Sequence, residues 1–312
     1  MGQYQIKVPH GIMFHHFHDE RHPTGQGSIS GKDFEDLLHF IGLENITTAQ
    51  DWFENYGRPG FGNKVCITFD DSLKCQYDIA KPVMDKYGIK AFFFVYSSVL
   101  EGKSEYLEVF RYFRSKYFKN FDDFYEAFMA YLHQSPMADE VHKALSTFDP
   151  NQYLQNFSFY TVNDKKFRYL RDHILKVDRY NMVLLDMIKR AGVSLEGLNE
   201  ILWMSAEQVK TLNKDGHFIG LHSHSHPTTM GLLPLEQQRA EYTTNNKYLR
   251  DHLHLPVVCM SHPCNSYNAG TLELLKDLNI SMGFRANMQS GFESRLEIPR
   301  EDHINVFKMM KA

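Results

Sequence analysis

The segment Val65-Cys66-Ile67-Thr68-Phe69-Asp70-Asp71 decides the fold, because it joins an apolar, β-branched run to a pair of carboxylates. A short apolar run bounded by turn residues is typical of a buried strand. The chain continues with a helical pattern over 79–87, which Gly88 closes, and with another apolar run over 91–96. This strand–helix–strand order with short connections predicts a parallel sheet, and so an α/β fold.

A second polar cluster, Gly220-Leu221-His222-Ser223-His224-Ser225-His226-Pro227, begins within the predicted strand over 217–221, whose apolar part is 218–221. Both clusters therefore lie at the carboxyl ends of predicted strands, where α/β folds place their chemistry. Three imidazoles within five residues are too concentrated to be explained by packing alone. We interpret the two clusters as the two halves of one divalent metal site.

The rest of the chain mostly continues the alternation of strands and helices. The same patterns predict strands over 11–14, 257–260 and 280–284, and helices that follow capping boxes at Ser30 and Ser205. Between 101 and 202 only helical periodicities appear, rich in aromatic and charged residues. We therefore predict a single domain over 1–312 with a helical insertion at about 101–202. Near the end, Ile298-Pro299-Arg300 has the pattern of a turn.

The composition excludes several classes of protein. A chain of 312 residues with 43% hydrophobic and 23% charged content is typical of a globular protein. Its net charge of −4 offers no basic surface for nucleic acid. No apolar run reaches the ~18 residues of a membrane span, and the first residues lack the features of a signal peptide. We predict a cytoplasmic protein without nucleic-acid partners, compatible with a homo-oligomer.

The spacing of the histidines limits how they can bind a metal. In an extended strand His222 and His226 would lie ~13 Å apart, too far to share one ion. A helical turn would bring them to ~6 Å, where both imidazoles can bind one zinc at ~2.0–2.1 Å. We therefore predict a single turn, with His222 and His226 as ligands and His224 pointing away. Asp70 and Asp71 would supply the third ligand and a base for the attacking water.

Two histidines and one carboxylate leave a coordination position for water, which is typical of hydrolytic zinc sites. The metal would lower the pKa of that water towards ~7 and polarise a carbonyl oxygen. We predict Zn²⁺ as the cofactor, with Co²⁺, Ni²⁺ and Mn²⁺ as alternatives. The sequence therefore predicts a metal-dependent hydrolase.

On these motifs the chain resembles the polysaccharide deacetylase family, the NodB-homology carbohydrate esterases. The family's first motif, Thr-Phe-Asp-Asp-Gly, appears as 68–72, and its second, His-Ser/Thr-x-x-His, as 222–226. The resemblance covers about residues 10–100 and 203–300. It implies a distorted (β/α) barrel with about seven parallel strands. It also implies that the chain removes acetyl groups from N-acetylated or O-acetylated sugars.

Carried over residue by residue, the resemblance implies that Asp70 is the general base and that Asp71, His222 and His226 bind the metal. Ser223 would hydrogen-bond within the turn and help to fix it. Ser72 replaces the glycine of the first motif, which is tolerable unless that backbone needs a positive φ.

The third motif departs from the family pattern, because it reads Ser261-His262-Pro263-Cys264-Asn265. The Cys264 N–H can still serve an oxyanion, since a backbone donor does not depend on its side chain. His262 and Pro263 are predicted to contact the substrate. The family's arginine that steadies the base is absent from this motif, and Arg300 is our candidate substitute. His15, at the end of the first strand, is the candidate general acid or substrate contact.

We predict that the chain deacetylates an acetylated sugar or glycan precursor. One alternative is a metal-independent cyclic amide hydrolase of the allantoinase type, although such relatives typically lose the metal ligands that this chain keeps. Another is a catalytically inactive glycan-binding protein, which the altered third motif would allow. Release of acetate from acetylated sugars, with metal added, distinguishes these hypotheses.

Overall fold

The computed structural model describes residues 3–154, 161–291 and 294–312. Within these residues the chain divides into two compact units: Met1–Glu105 with Asn199–Ala312, and Tyr106–Leu198. The strands all belong to the first unit and are β1 (His10–Phe14), β2 (Val65–Phe69), β3 (Phe92–Val95), β4 (Phe218–Leu221), β5 (Cys259–Ser261), β6 (Met282–Phe284) and β7 (Arg300–Asp302). They form one parallel sheet in the order β6-β5-β4-β3-β2-β1-β7.

Helices connect these strands and form the second unit. The helices of the first unit are α1 (Gly31–Ile41), α2 (Ala49–Asn55), α3 (Lys81–Lys86), α10 (Ala206–Lys214), α11 (Leu235–Lys247), α12 (Ala269–Asp277) and α13 (His303–Lys311). Those of the second are α4 (Tyr106–Tyr117), α5 (Phe121–His133), α6 (Ala138–Ser146), α7 (Val162–Tyr169) and α8 (Lys176–Arg190), and α9 (Leu195–Leu202) follows at the boundary. No helix in the described part of the chain is long and apolar enough to cross a membrane.

The sheet closes almost into a barrel through the segment just before and within β7. Ile298 forms a parallel bridge with Phe284 of β6, and Arg300 pairs with Gly11 of β1. The same segment therefore contacts both β6 and β1, although β6 and β7 themselves are the ends of the strand order. The predicted distorted (β/α) barrel with seven parallel strands is confirmed.

The strands are buried on both faces, as expected of a parallel sheet covered by helices. Every residue of β1, β2 and β3 is buried. Aromatic side chains fill part of the interior, where Phe92, Phe94 and Phe284 pack with the thiols of Cys66 and Cys259. Because these runs are apolar throughout, the sequence pattern located them to within two residues at each end.

The predicted capping boxes are confirmed. The Ser30 side chain accepts from the Asp33 N–H at the start of α1, and the Asp33 side chain reaches back to the cap. Ser205 and Gln208 form the same reciprocal pair before α10. Such caps satisfy N–H groups that the first turn of a helix leaves unpaired. They explain why these two helices begin where the sequence predicts.

The prediction of a turn at 298–300 was wrong, and the helix α13 that follows was missed. Arg300 begins β7, where the Gly11 N–H donates to the Pro299 carbonyl at 2.9 Å. A three-residue strand preceded by proline carries no alternation of its own. It is extended because β1 offers it a partner, which is tertiary information.

The second unit has a core of aromatic side chains. Phe124, Phe128 and Phe167 lie with their ring centroids 5.2–6.0 Å apart. In its described residues it contains helices and no strand. The predicted division into one domain with an insertion at 101–202 stays a prediction.

Candidate metal centre

The chain leaves β2 in an unusual backbone conformation at Asp71 and Ser72. Asp71 has a φ of 74° and Ser72 a φ of 58°, both in the left-handed region. The backbone at Ser72 therefore does need the positive φ that the family's glycine accommodates easily. Two hydrogen bonds offset the strain: the Ser72 carbonyl accepts from the Met204 N–H at 2.9 Å, and its Oγ accepts from the Tyr96 N–H at 3.2 Å.

The histidine loop, residues 222–226, follows β4 directly. Our prediction of a helical turn was wrong, because the loop is irregular and contains two left-handed residues, Ser223 (φ 66°) and His226 (φ 54°). The Ser223 Oγ accepts from the His226 N–H at 3.1 Å. The loop still folds back enough to bring the rings of His222 and His226 to a centroid distance of 4.9 Å.

Asp71, His222 and His226 meet at one point. The Asp71 Oδ1 lies 3.3 Å from Nε2 of His222 and 3.3 Å from Nε2 of His226. One ligand atom from each residue falls within 4.8 Å of the others. The Asp71 Oδ1 is buried and has no hydrogen-bond partner. A buried carboxylate oxygen facing two imidazole nitrogens fits a divalent cation of the zinc type.

The tautomer of His222 is set by its second ring nitrogen. The Nδ1 lies 3.0 Å from the Ser261 carbonyl oxygen and 2.7 Å from the Ser261 Oγ. A carbonyl can only accept, so Nδ1 carries a proton, and Nε2 is the ring nitrogen that faces Asp71. Hydrogen bonds of this kind orient metal-binding imidazoles in proteins.

Helix α11 holds the histidine loop through two side chains one turn apart. The Asn245 Oδ1 accepts from the His222 N–H at 3.1 Å. The Glu241 carboxylate accepts from the backbone N–H groups of His224 and Ser225 at 2.9 and 2.8 Å, and from the Ser225 Oγ at 2.6 Å. Neither residue was predicted. A polar side chain on a helix gives no sign in the sequence of the distant loop that it contacts.

Asp70 lies beside the metal ligands and is paired with Arg300. The two terminal nitrogens of Arg300 each donate to one carboxylate oxygen of Asp70 at 2.7 Å. The Ser261 hydroxyl donates to the Asp70 Oδ1 at 3.1 Å. Burial alone would raise the pKa of Asp70, but the Arg300 guanidinium outweighs it and holds the pKa below its usual value. Asp70 is therefore ionised at neutral pH.

The charges of the centre favour a cation. Burial would raise the pKa of Asp71, but the imidazoles of His226 and His222 outweigh it and hold the pKa well below its usual value. Asp70 and Asp71 carry two negative charges, and Arg300 compensates one of them. The remaining negative charge points at the two Nε2 atoms.

His15 faces both aspartates from the end of β1. Its Nε2 lies 3.9 Å from the Asp70 Oδ2 and 3.9 Å from the Asp71 Oδ2, and its side chain is 27% exposed. The Gln76 amide, which the sequence analysis missed, donates to the carbonyls of His15 and Asp70 at 2.9 and 2.6 Å. The structure therefore brings the predicted acid to the same edge of the barrel as the predicted base.

The third motif, residues 261–265, includes both buried and exposed side chains. The imidazole of His262 is 1% exposed, stacks on Tyr267 and donates from Nε2 to the Leu296 carbonyl at 2.9 Å. Pro263 is buried as well. These positions do not favour the substrate contacts that we predicted for them. The Cys264 side chain is exposed, and partial burial and the nearby carboxylates of Asp71 and Asp70 raise the pKa of its thiol to about 11.

The polysaccharide deacetylase family model matches residues 156–283 of the chain, a segment that includes the histidine loop. Over this segment the chain is similar to the polysaccharide deacetylase family. The resemblance predicted from the two motifs is thus confirmed, and the match extends into the helical segment before residue 203, which we had left outside it. No curated protein matches the chain at the level of sequence.

Solved structures show the same fold. The Streptococcus pyogenes deacetylase PplD, in complex with acetate, gives a TM-score of 0.55 at 16% identity over 98% of both chains. IcaB from Ammonifex degensii gives 0.53 at 15% identity over 100% of both chains. A de-N-acetylase from Aggregatibacter actinomycetemcomitans gives 0.53 at 13% identity over 97% of this chain and 99% of that one.

Around Asp70 the chain departs from the pattern of the deacetylase family that it resembles. Where the third motif usually has an arginine, Ser261 ends β5. The guanidinium that contacts Asp70 comes instead from Arg300, at the start of β7. The positive charge beside Asp70 is thus supplied by β7, which lies at the other end of the strand order from β5.

Proposed function

We propose that this chain, which resembles the polysaccharide deacetylase family, is a metal-dependent hydrolase that removes acetyl groups from an acetylated sugar or glycan precursor. One observation carries the proposal: the buried, unpaired Asp71 Oδ1 lies 3.3 Å from the Nε2 atoms of both His222 and His226. An inactive descendant of the fold would have no need to retain this donor set. A metal-independent hydrolase would have no use for it either.

Asp71, His222 and His226 would hold the cation, and we propose Zn²⁺ from the two-imidazole, one-carboxylate donor set. When bound, such a cation activates a water molecule and polarises the acetyl carbonyl. The protein's own part is to turn Nε2 of His222 towards Asp71 and to keep the ligands rigid. The hydrogen bonds of His222 to Ser261 and of the histidine loop to α11 do this.

Asp70 is the proposed general base. It takes one proton from the attacking water as the water oxygen bonds to the acetyl carbon. The Arg300 guanidinium keeps the carboxylate ionised and fixes its direction through two hydrogen bonds. Because Arg300 is fully buried, this orientation is maintained without competition from solvent.

His15 is the proposed acid. The bond between the acetyl carbon and the sugar nitrogen or oxygen breaks, and His15 donates a proton to the leaving atom, releasing acetate and the free sugar. Its partial exposure leaves it accessible to a substrate. The Cys264 N–H is proposed to stabilise the oxyanion that forms on the acetyl oxygen.

The test is release of acetate from a panel of N-acetylated and O-acetylated sugars by the protein supplied with Zn²⁺. We expect Asp70→Asn to lose most of the activity while Zn²⁺ remains bound, and Asp71→Asn to lose both. Activity that survives chelation of all metal would indicate a metal-independent hydrolase. Sugar binding that is unchanged by Asp70→Asn, in a wild type that releases no acetate, would indicate a glycan-binding protein.

A further inference from the structure

Ser261 lies between the two functional halves of the metal centre. It is the last residue of β5 and is fully buried. Its Oγ is 2.7 Å from Nδ1 of His222 and 3.1 Å from the Asp70 Oδ1. A single hydroxyl therefore contacts a metal-ligand imidazole on one side and the proposed base on the other.

The donors and acceptors around this hydroxyl allow one consistent assignment. Both oxygens of Asp70 accept from Arg300, and its Oδ1 also accepts the one proton of the Ser261 hydroxyl at 3.1 Å. The hydroxyl oxygen is then an acceptor for the His222 Nδ1–H, together with the Ser261 carbonyl at 3.0 Å. The resulting chain runs from His222 through Ser261 to Asp70 and on to Arg300.

We infer that Ser261 is a positioning residue that sets the direction of the His222 imidazole and of the Asp70 carboxylate at the same time. The Ser261 hydroxyl and the Arg300 guanidinium contact the same Asp70 Oδ1, at 3.1 and 2.7 Å. Ser261 replaces the family's arginine in the third motif, and Arg300 of β7 supplies the guanidinium, so that the two residues together hold Asp70. This inference rests on the proposed function.

Ser261→Ala tests the link, because it removes the hydroxyl but keeps the backbone carbonyl as an acceptor for His222. We expect the affinity for Zn²⁺, measured by competition with a chromogenic chelator, to fall about tenfold, as is typical when an outer-shell partner is lost. This readout requires no substrate. It therefore tests the positioning role even if the wild type releases no acetate, an outcome that would count against the proposed function alone.

If the deacetylase proposal holds, kinetics give a second readout. We expect Ser261→Ala to lower kcat about tenfold with KM unchanged, because the base is misdirected while the substrate contacts remain. Ser261→Thr keeps the hydroxyl and should recover most of the loss. Ser97→Ala is the matched control: Ser97 is fully buried, and its Oγ contacts His224, which is not one of the ligands, at 2.9 Å. We expect Zn²⁺ affinity to be unchanged in it.

The wild-type protein offers a measurement that does not depend on any variant folding. Nitrogen-15 spectra of the zinc-loaded protein should place the proton of His222 on Nδ1. A Ser261→Ala protein that binds Zn²⁺ as tightly as the wild type would overturn the inference. So would a wild-type spectrum with Nδ1 deprotonated.

Discussion

The buried pair of Asp70 and Arg300 is the strongest single interaction that the structure adds to the sequence. The Arg300 side chain is fully buried and that of Asp70 is 4% exposed. Taking both charges out of water is costly, and the bidentate contact offsets that cost only while both partners are present. Arg300 also donates from Nε to the Arg285 carbonyl and from Nη1 to the Thr68 hydroxyl. Its removal therefore leaves several acceptors unpaired.

Arg300→Met should destabilise the protein by about 3–5 kcal/mol, because it leaves the Asp70 carboxylate buried without its counter-charge. Urea denaturation of the metal-free protein measures this. Adding Asp70→Asn to the variant should recover part of the loss, since a neutral amide needs no cation. Arg239→Met is the control: Arg239 and Asp277 are about half-exposed and 3.0 Å apart, and we expect less than about 1 kcal/mol. Equal effects of the two substitutions would contradict the buried pairing.

His217 makes the stability of the fold depend on pH. Its ring is fully buried, and Nδ1 accepts from the Ala91 N–H at 3.1 Å. Burial lowers the pKa of His217 from 6.5 to about 4. Because the unfolded chain then binds the proton more tightly, the contribution is complete above pH 6.5 and is lost as the pH falls from 6.5 towards 4.

We expect His217 to account for about 3 kcal/mol of the stability lost over that acid range. His217→Asn keeps an acceptor for the Ala91 N–H but does not titrate. The difference in unfolding free energy between wild type and variant, measured by urea denaturation at several pH values, should therefore shrink below pH 6.5. If this difference in unfolding free energy stayed constant from pH 7 to pH 4, the His217 imidazole would not be buried in its neutral form.

Among the helices, α11 both packs against the barrel and hydrogen-bonds to the histidine loop. Its buried residues include Gln238 and Asn245, which are polar, along with Tyr242. The helix therefore lacks a clear apolar stripe, because two of its three buried residues are polar. Glu241 and Asn245 use this face to hold the backbone of the histidine loop.

Glu241→Gln should lower the affinity for Zn²⁺ about tenfold. The amide has one accepting oxygen instead of two, and its NH₂ group would face the N–H and O–H donors of the histidine loop. The chelator competition described above measures this. Glu236→Gln, an equal change of charge at an exposed position of the same helix, is the control and should leave the affinity unchanged. If both variants bound Zn²⁺ equally well, the proposed role of Glu241 in holding the histidine loop would be disproved.

Gly220, inside β4, shows how closely the strands approach one another. A Cβ added there would lie 2.7 Å from the Phe94 Cδ1 and 2.8 Å from the Cys259 carbonyl oxygen. Because the carbonyl belongs to the backbone of β5, it cannot rotate away.

Gly220→Ala should therefore cost about 1–3 kcal/mol of unfolding free energy through overpacking. Gly197→Ala, in helix α9, meets no atom closer than 3.7 Å and should be neutral or stabilising by up to about 1 kcal/mol. Thermal unfolding of the two variants side by side provides the measurement. A Gly220→Ala protein as stable as Gly197→Ala would mean that β4 and β5 are further apart than described.

For the whole molecule, the metal centre joins segments that lie about one hundred and fifty residues apart in the chain. Asp71 follows β2, whereas His222 and His226 follow β4, and the two strands are separated in the sheet only by β3. A ligand that binds the native state and not the unfolded chain stabilises the whole cooperative unit.

Zn²⁺ should therefore raise the Tm of the wild-type protein. A free concentration one hundred times the Kd would add about 2.7 kcal/mol. Calorimetry with and without the metal, after exhaustive chelation, measures the shift. Asp71→Asn should show a much smaller shift under the same conditions. An equal shift in both proteins would indicate that the ion binds somewhere else.

Much of the barrel was predictable because most of its strands, unlike β7, are largely apolar. The runs at 65–69 and 217–221 need no partner to be recognised, and Ser30 and Ser205 satisfy helix N–H groups within three residues of themselves. The predicted metal ligands could be named from their spacing and from the family resemblance, which also showed the departures in the third motif. What could not be predicted were contacts such as those of Asn245 with the His222 N–H and of Gln76 with the His15 carbonyl, which join side chains to backbone far away in the sequence.

By itself, the sequence determined the α/β class, the caps, and the set of residues able to bind a metal, because each depends on side-chain chemistry within a few neighbouring positions. Only the tertiary structure decided that 300–302 is a strand, that Arg300 supplies the charge for Asp70, and that the histidine loop is irregular. Those features depend on which backbone and which charge lie opposite one another once the barrel closes.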